Sequence, residues 1–173
     1  MKAEKISVIV GILVIVLLGV LIIWKSNIIG VSKNRLEQTA RKEQGVSDDW
    51  KMVQDVNEDM CVMLFYDEEK SDCRYSVYMT RGGIARGYFY VDGGVDGFMI
   101  DSSRSMIYED RGIVLLSMNR DKVCRVEVKS DAVGTIEVDP SAPFALALPA
   151  NCGEIIMYDA QGNIVTLYDS FVG

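Results

Sequence analysis

The sequence predicts an α+β, mainly β fold. It orders an N-terminal transmembrane helix, a helical stalk and one amphipathic helix, then an antiparallel β-sandwich or barrel-like domain. Three observations carry this expectation. Residues Ile6 to Trp24 form an uncharged apolar run. A polar stretch, residues 32–45 (SKNRLEQTARKEQG), follows it with only Leu36 and Ala40 apolar. From residue 73 on, short runs rich in Val, Ile, Tyr and Phe alternate with Gly, Pro, Asn and Asp turns, the pattern of strands without intervening helices. The expected boundaries are residues 1–25 for the anchor, 26–46 for the stalk and 47–173 for one globular domain.

The apolar run holds 19 residues, with Ser7 its one polar member. As a helix it would measure about 28 Å, close to the hydrocarbon thickness of a bilayer. A cleaved signal has a shorter apolar core, about 7–15 residues, ending in a small-x-small site. Here the run ends in Trp24-Lys25, an interface anchor pair, and the nearest small-x-small tripeptide is Gly30-Val31-Ser32. The layout is similar to that of type IV pilins. However, the glutamate that their processing and assembly require inside the run is missing, since Glu4 precedes it. The expected partner of Ile6 to Trp24 is therefore the lipid bilayer itself. A strict count of Lys and Arg, with Lys25, Lys33, Arg35, Arg41 and Lys42 after the run, leans toward a cytoplasmic body. The five-residue tail before the run reads instead as a signal anchor with the tail inside, and an extracytoplasmic body is the expectation.

Charge divides the chain. Residues 1–44 carry seven basic and three acidic residues; residues 45–173 carry eleven basic and twenty-two acidic ones. An acidic body repels phosphate backbones, which argues against a nucleic-acid partner. The sequence contains no histidine. That excludes Ser-His-Asp and Cys-His catalysis, His-ligated zinc and the usual switch near neutral pH.

In chain order, Ser32 is a candidate N-cap and Gly45 a candidate C′ glycine for a solvated stalk helix. Residues 48–64 read as the amphipathic helix, with Trp50, Val53, Val56, Met60 and Met63 at helical spacing. Strands are expected at 73–80, 84–91, 97–101, 105–109, 113–118, 123–129, 133–138, 144–148, 154–159 and 164–168. Asp159 to Asn163 is the clearest hairpin turn, with Gly162 suited to a left-handed position, and Arg81-Gly82-Gly83 is a second turn. Pro140, Pro143 and Pro149 make 144–148 an edge strand or a loop.

Cys61, Cys73, Cys124 and Cys152 have irregular spacing and no CxxC, which argues against zinc and thioredoxin chemistry. Cys61 and Cys124 read as small buried hydrophobes, although an even count in an exported domain permits disulfides. Asp92, Asp96 and Asp101 with three glycines lack the ligand spacing of an EF-hand and read as a glycine-rich turn. No catalytic, cofactor-binding or metal-binding residues are expected.

One surface stands out. In 73–91 (CRYSVYMTRGGIARGYFYV) a hairpin can gather Arg74, Tyr78, Arg86, Tyr88 and Tyr90. Tyr and Arg dominate binding hot spots. The competing reading is cross-strand aromatic pairing, and alternation puts Tyr88 and Phe89 on opposite faces, so part of the cluster belongs to a core. The functional expectation is a single-pass membrane protein with a non-catalytic extracytoplasmic interaction module, its partner an envelope protein or a glycan. The first alternative is a small-ligand or glycan-binding module using the Tyr/Arg sheet face. The second is a carboxylate-dependent cell-wall hydrolase.

Overall fold

The computed structural model describes residues 11–21, 28–95, 97–130 and 133–172. Both ends of the apolar run, the Trp24-Lys25 pair and Asp96 lie outside the described residues. Residues 11–21 are helical, and Ile12 to Leu18 are all exposed. No described helix is long and apolar enough to cross a membrane.

From Ile28 on, the chain is mainly β. A 3-10 turn over Lys33–Arg35 leads into α1 (Leu36–Gln44), and a short α2 spans Phe98–Asp101. The strands are β1 (Lys51–Val56), β2 (Met60–Tyr66), β3 (Cys73–Thr80), β4 (Tyr88–Val95), β5 (Ser103–Tyr108) and β6 (Gly112–Ser117). They continue as β7 (Val123–Val128), β8 (Gly134–Glu137), β9 (Phe144–Leu148), β10 (Ile155–Asp159), β11 (Ile164–Val165) and β12 (Leu167–Phe171). Three four-stranded sheets result: A, ordered β1-β2-β3-β4; B, ordered β12-β5-β6-β9; and C, ordered β11-β10-β7-β8. Pairing is antiparallel except for β12, which runs parallel to β5.

The described body stacks in four layers: α1, sheet A, sheet B and sheet C. Between A and B lie Met60, Val62, Leu64, Val77 and Met79 against Met106, Val114, Leu116 and Ala145. Between B and C lie Ile113, Leu115, Phe144 and Leu148 against Val123, Val126, Val128 and Met157. Over the outer face of A, Leu36, Ala40 and Val46 cover Cys61, Met63, Phe65, Tyr78 and Tyr88. Asp55 latches A to B at one corner by accepting from the Ala147 amide at 2.9 Å.

The structure corrects several sequence expectations. Residues 48–64 are not a helix but β1, the turn after it and most of β2. All seven residues of β2 are buried, because sheet A is covered on both faces. A strand buried on both sides loses the period-two signal that would reveal it. The stalk is not solvated: α1 rests on sheet A with Leu36 1% and Ala40 0% exposed. Ser32 makes no side-chain cap bond, while Gly45 does close α1 in the left-handed region at φ 62°. Residues 98–101 are helical where a strand was expected, and the glycine-rich segment from Asp92 to Val95 is the end of β4. The strand expected at 84–91 is displaced by four residues: 84–87 belong to the β3–β4 loop and β4 runs on through Asp92 to Val95, and the other strands fall close to their expected positions. The hairpin at Asp159–Asn163 forms with Gly162 at φ 83°, and β9 is an edge strand.

Candidate functional site

The five candidate residues separate into buried, bridging and exposed groups. A bulge in β4 decides part of this. Tyr78 pairs with Tyr90 but Val77 pairs with Asp92, so Val91 is an extra residue. Simple alternation would put Tyr90 and Asp92 on one face. The bulge instead turns Tyr90 toward α1 and Asp92 toward sheet B, where Asp92 accepts from Tyr75 at 3.2 Å and Tyr108 at 3.0 Å. Tyr75 is pushed up to about 12 by burial and then by Asp92; Tyr108 is pushed up in the same way.

On the α1 side, Tyr78 is fully buried and Tyr88 nearly so, whereas Tyr90 is 44% exposed. Tyr78 and Tyr90 meet edge to face, ring centroids 5.6 Å apart. The Tyr78 hydroxyl donates to the Glu43 carboxylate of α1, and the Tyr88 hydroxyl donates to the Asn57 carbonyl at 2.7 Å. Burial, then the bond to Glu43, raises the Tyr78 phenol far above its ordinary value. Tyr88 is raised too, chiefly by burial. Both phenols are therefore held as hydrogen-bond donors.

Arg74 lies on the same face but outside the cleft. Its guanidinium stacks over Trp50 at 5.6 Å and donates to the Gln44 carbonyl at the end of α1. Arg86 sits in the loop between β3 and β4 with its side chain exposed. Its backbone is stitched to the segment that follows the apolar run. Gly30 donates to the Arg86 carbonyl at 2.7 Å, and Arg86 donates to the Ile28 carbonyl at 2.9 Å. Val31 and Tyr88 exchange two further bonds at 2.7 and 2.8 Å. Glycines make this approach possible: a Cβ on Gly30 would lie 2.5 Å from the Tyr88 carbonyl oxygen, and one on Gly87 would lie 2.8 Å from that of Val31. Gly87 also sits at φ 85°.

Together these elements frame a cleft of about 550 Å³. Its walls are residues 29–32, the Arg35–Thr39–Glu43 stripe and the Tyr78, Tyr88 and Tyr90 cluster, with Arg81 at one end. Arg81 stacks on Phe89 at 4.1 Å. The cleft residues absent from the expected Tyr/Arg surface are Arg35, Thr39, Glu43 and Arg81. A spacing of four along 35–43 was the available signal, hidden because the helix looked like a solvated stalk. The cleft offers two guanidinium groups, one carboxylate and an exposed aromatic edge.

The four cysteines form no disulfide, and Cys61, Cys73 and Cys152 are buried. Cys61 is pushed up to about 12, first by burial and then by Asp55. No cluster of three potential metal ligands occurs among the described residues. No protein-family model, no curated protein and no solved structure matches this chain.

Proposed function

We propose that this is a single-pass membrane protein, with Ile6 to Trp24 in the bilayer, whose β-rich body is a non-catalytic extracytoplasmic interaction module. The observation that carries this reading is the stitched junction. The chain leaves an apolar run and within a few residues is hydrogen-bonded to the β3–β4 loop, beside the cleft. The exposed turns from Ile12 to Leu21 support the membrane part, since a continuous uncovered apolar helix surface is unfavourable in water. The protonated phenols support binding over proton abstraction, because a phenol held far above neutral pH donates a hydrogen bond and makes a poor base.

The test uses the full chain in native membranes with a photo-crosslinking residue in place of Thr39, at the cleft, or of Glu137, on sheet C. A discrete protein adduct from position 39 alone is expected. Adducts from neither position, or equally from both, would overturn the interaction-module reading. A C-terminal reporter active only outside the cytoplasm tests orientation, and silence would reverse it.

A small-ligand or glycan reading is favoured by one observation: Tyr90 offers an exposed ring beside Arg35, Arg81 and Glu43 in a cleft of small-molecule size. Tyr90→Ala should then abolish ligand binding. The hydrolase alternative is weaker, since Glu43 is the sole carboxylate among the described cleft residues and glycoside hydrolysis ordinarily uses two.

A further inference from the structure

The end of the body nearest the apolar run differs in charge from everything beyond it. Residues 45–173 carry twice as many acidic as basic residues. Yet the two paired segments at this end, 28–36 and 81–87, carry Lys33, Arg35, Arg81 and Arg86 and no acidic residue. All four are exposed. Acidic groups flank the patch on neighbouring elements: Glu43 on α1, Glu58 and Asp59 in the β1–β2 turn, and Asp110 before β6. The same two segments present the apolar side chains of Ile29 and Ile84, 69% and 75% exposed. Ile84 stands in the loop Arg81-Gly82-Gly83-Ile84-Ala85-Arg86-Gly87, where Gly83 and Gly87 hold positive φ.

Chain geometry limits how far this patch can lie from the end of the run. Ile29 follows Trp24 by five residue steps, a maximum reach of roughly 17 Å. The backbone bonds of Ile28, Gly30 and Val31 to Arg86 and Tyr88 carry the 81–87 loop along with that segment. An apolar side chain flanked by arginines is the chemistry of an interfacial anchor: the isoleucine enters the acyl boundary and the guanidinium groups meet lipid phosphates.

We infer that the 81–87 loop docks on the surface of an anionic bilayer, with Ile84 inserted at the headgroup boundary and Arg81, Arg86, Lys33 and Arg35 on lipid phosphates. This rests on the reading of Ile6 to Trp24 as a membrane span. Docking would fix the tilt of the body and set the mouth of the cleft next to the lipid surface.

The test places the full chain in nanodiscs of zwitterionic lipid, with or without phosphatidylglycerol, each containing a lipid-borne quencher. A small fluorescent residue replaces Ile84 or, as control, Ile164. Ile164 is equally exposed, at 71%, but lies on sheet C with two sheets between it and α1. Quenching at position 84, stronger with phosphatidylglycerol, and none at position 164 is the expected result. Arg86→Gln, at an exposed side chain, should lower the docked-to-undocked ratio about fivefold, the equivalent of one basic contact to an anionic surface. If the chain inserts in the discs but position 84 is quenched no more than position 164, the docking inference is overturned and the anchor stands. If the chain fails to insert, both fall.

Discussion

The two faces of β2 are covered in contrasting ways. Toward sheet B it presents Met60, Val62, Leu64 and Tyr66 to a whole second sheet, in a core of mainly aliphatic and thioether side chains that also holds Tyr75 and Tyr108. Toward α1 it presents Cys61, Met63 and Phe65 to a nine-residue helix whose buried residues are Leu36, Ala40 and Gln44. Arg41 spans Phe65 at 5.2 Å while donating to the Ser47 and Trp50 carbonyls, and Gln44 is buried. The inner face gains most of its stability from shape and area, with the Tyr75 and Tyr108 phenols bonded to Asp92; the outer face depends on Leu36, Ala40 and Val46, on long amphipathic side chains such as Arg41 and on the Tyr78–Glu43 bond. A cover held in this second way gives up less on opening, and it is here that the cleft forms.

The sharpest way to break this contrast is to cut one leucine from each cover. Leu64→Ala should cost about 3–5 kcal/mol in chemical denaturation, since a site between two sheets collapses poorly around a cavity. Leu36→Ala should cost about 2 kcal/mol, because the helix can settle. It should raise amide exchange from Tyr78 to Tyr90 without a matching rise in β6. Equal costs and equally global exchange would show that the two faces form one cooperative unit.

Alkaline pH tests the faces through their thiols. Cys61 lies under α1 and Cys73 in the inner core; burial pushes them up to about 12 and about 11 from a value of 9.0. Above pH 9 the unfolded chain loses these protons and the folded chain keeps them. Stability is therefore intact below pH 9 and falls as pH rises toward 11, by about 1.4 kcal/mol per unit per thiol. Denaturation between pH 8 and 11 should follow this slope. Cys61→Ala and Cys73→Ala should each make it shallower, and a flat profile in the parent chain would refute the burial of both.

Tyr78→Phe isolates the polar device of the outer cover. Removing the hydroxyl leaves Glu43, which is exposed, free to rehydrate, so the loss should be about 1 kcal/mol. The change should appear as faster exchange in α1. An unaltered α1 would mean that Leu36 and Ala40 suffice. The smallest effect is chemical: with iodoacetamide at pH 8, half-buried Cys124 should alkylate first and Cys61 last, read by peptide mass spectrometry with little change in stability.

Much of the fold is legible in the sequence where burial is one-sided or turns are marked. Strands at 73–80 and 144–148 sit where their β-rich runs and flanking turn residues place them. Legibility fails where packing is two-sided or non-local. Seven consecutive buried residues in β2 mimic a helix, and α1 looks solvated because only Leu36 and Ala40 of its nine residues are apolar while the polar Arg41 and Gln44 pack beside them. The parallel partnership of β12 with β5 leaves no local mark, since its two halves lie more than sixty residues apart. At the site, Tyr78, Tyr88 and Tyr90 do share a face. The element that covers them, and the bulge that removes Asp92 from their company, are products of tertiary contact.

That parallel partnership has a consequence for synthesis. Residues 103–108 are made long before residues 167–171, so the outer edge of β5 stays unpaired while the rest of the body emerges. At the usual pace of translation the interval is on the order of 3–13 s. An open edge for that long invites pairing with another nascent chain. The edge it shows in that window reads Ser103, Arg104, Ser105, two hydroxyls around a guanidinium, before the apolar Met106 and Ile107. Arg104 and Ser105 later take up Asp169 and Ser170 of the arriving strand, with Ser105 donating to the Asp169 carboxylate at 2.5 Å and Arg104 to the Ser170 hydroxyl at 3.2 Å. The residues that identify the correct last strand are thus also those that discourage a wrong one while the ribosome is still at work.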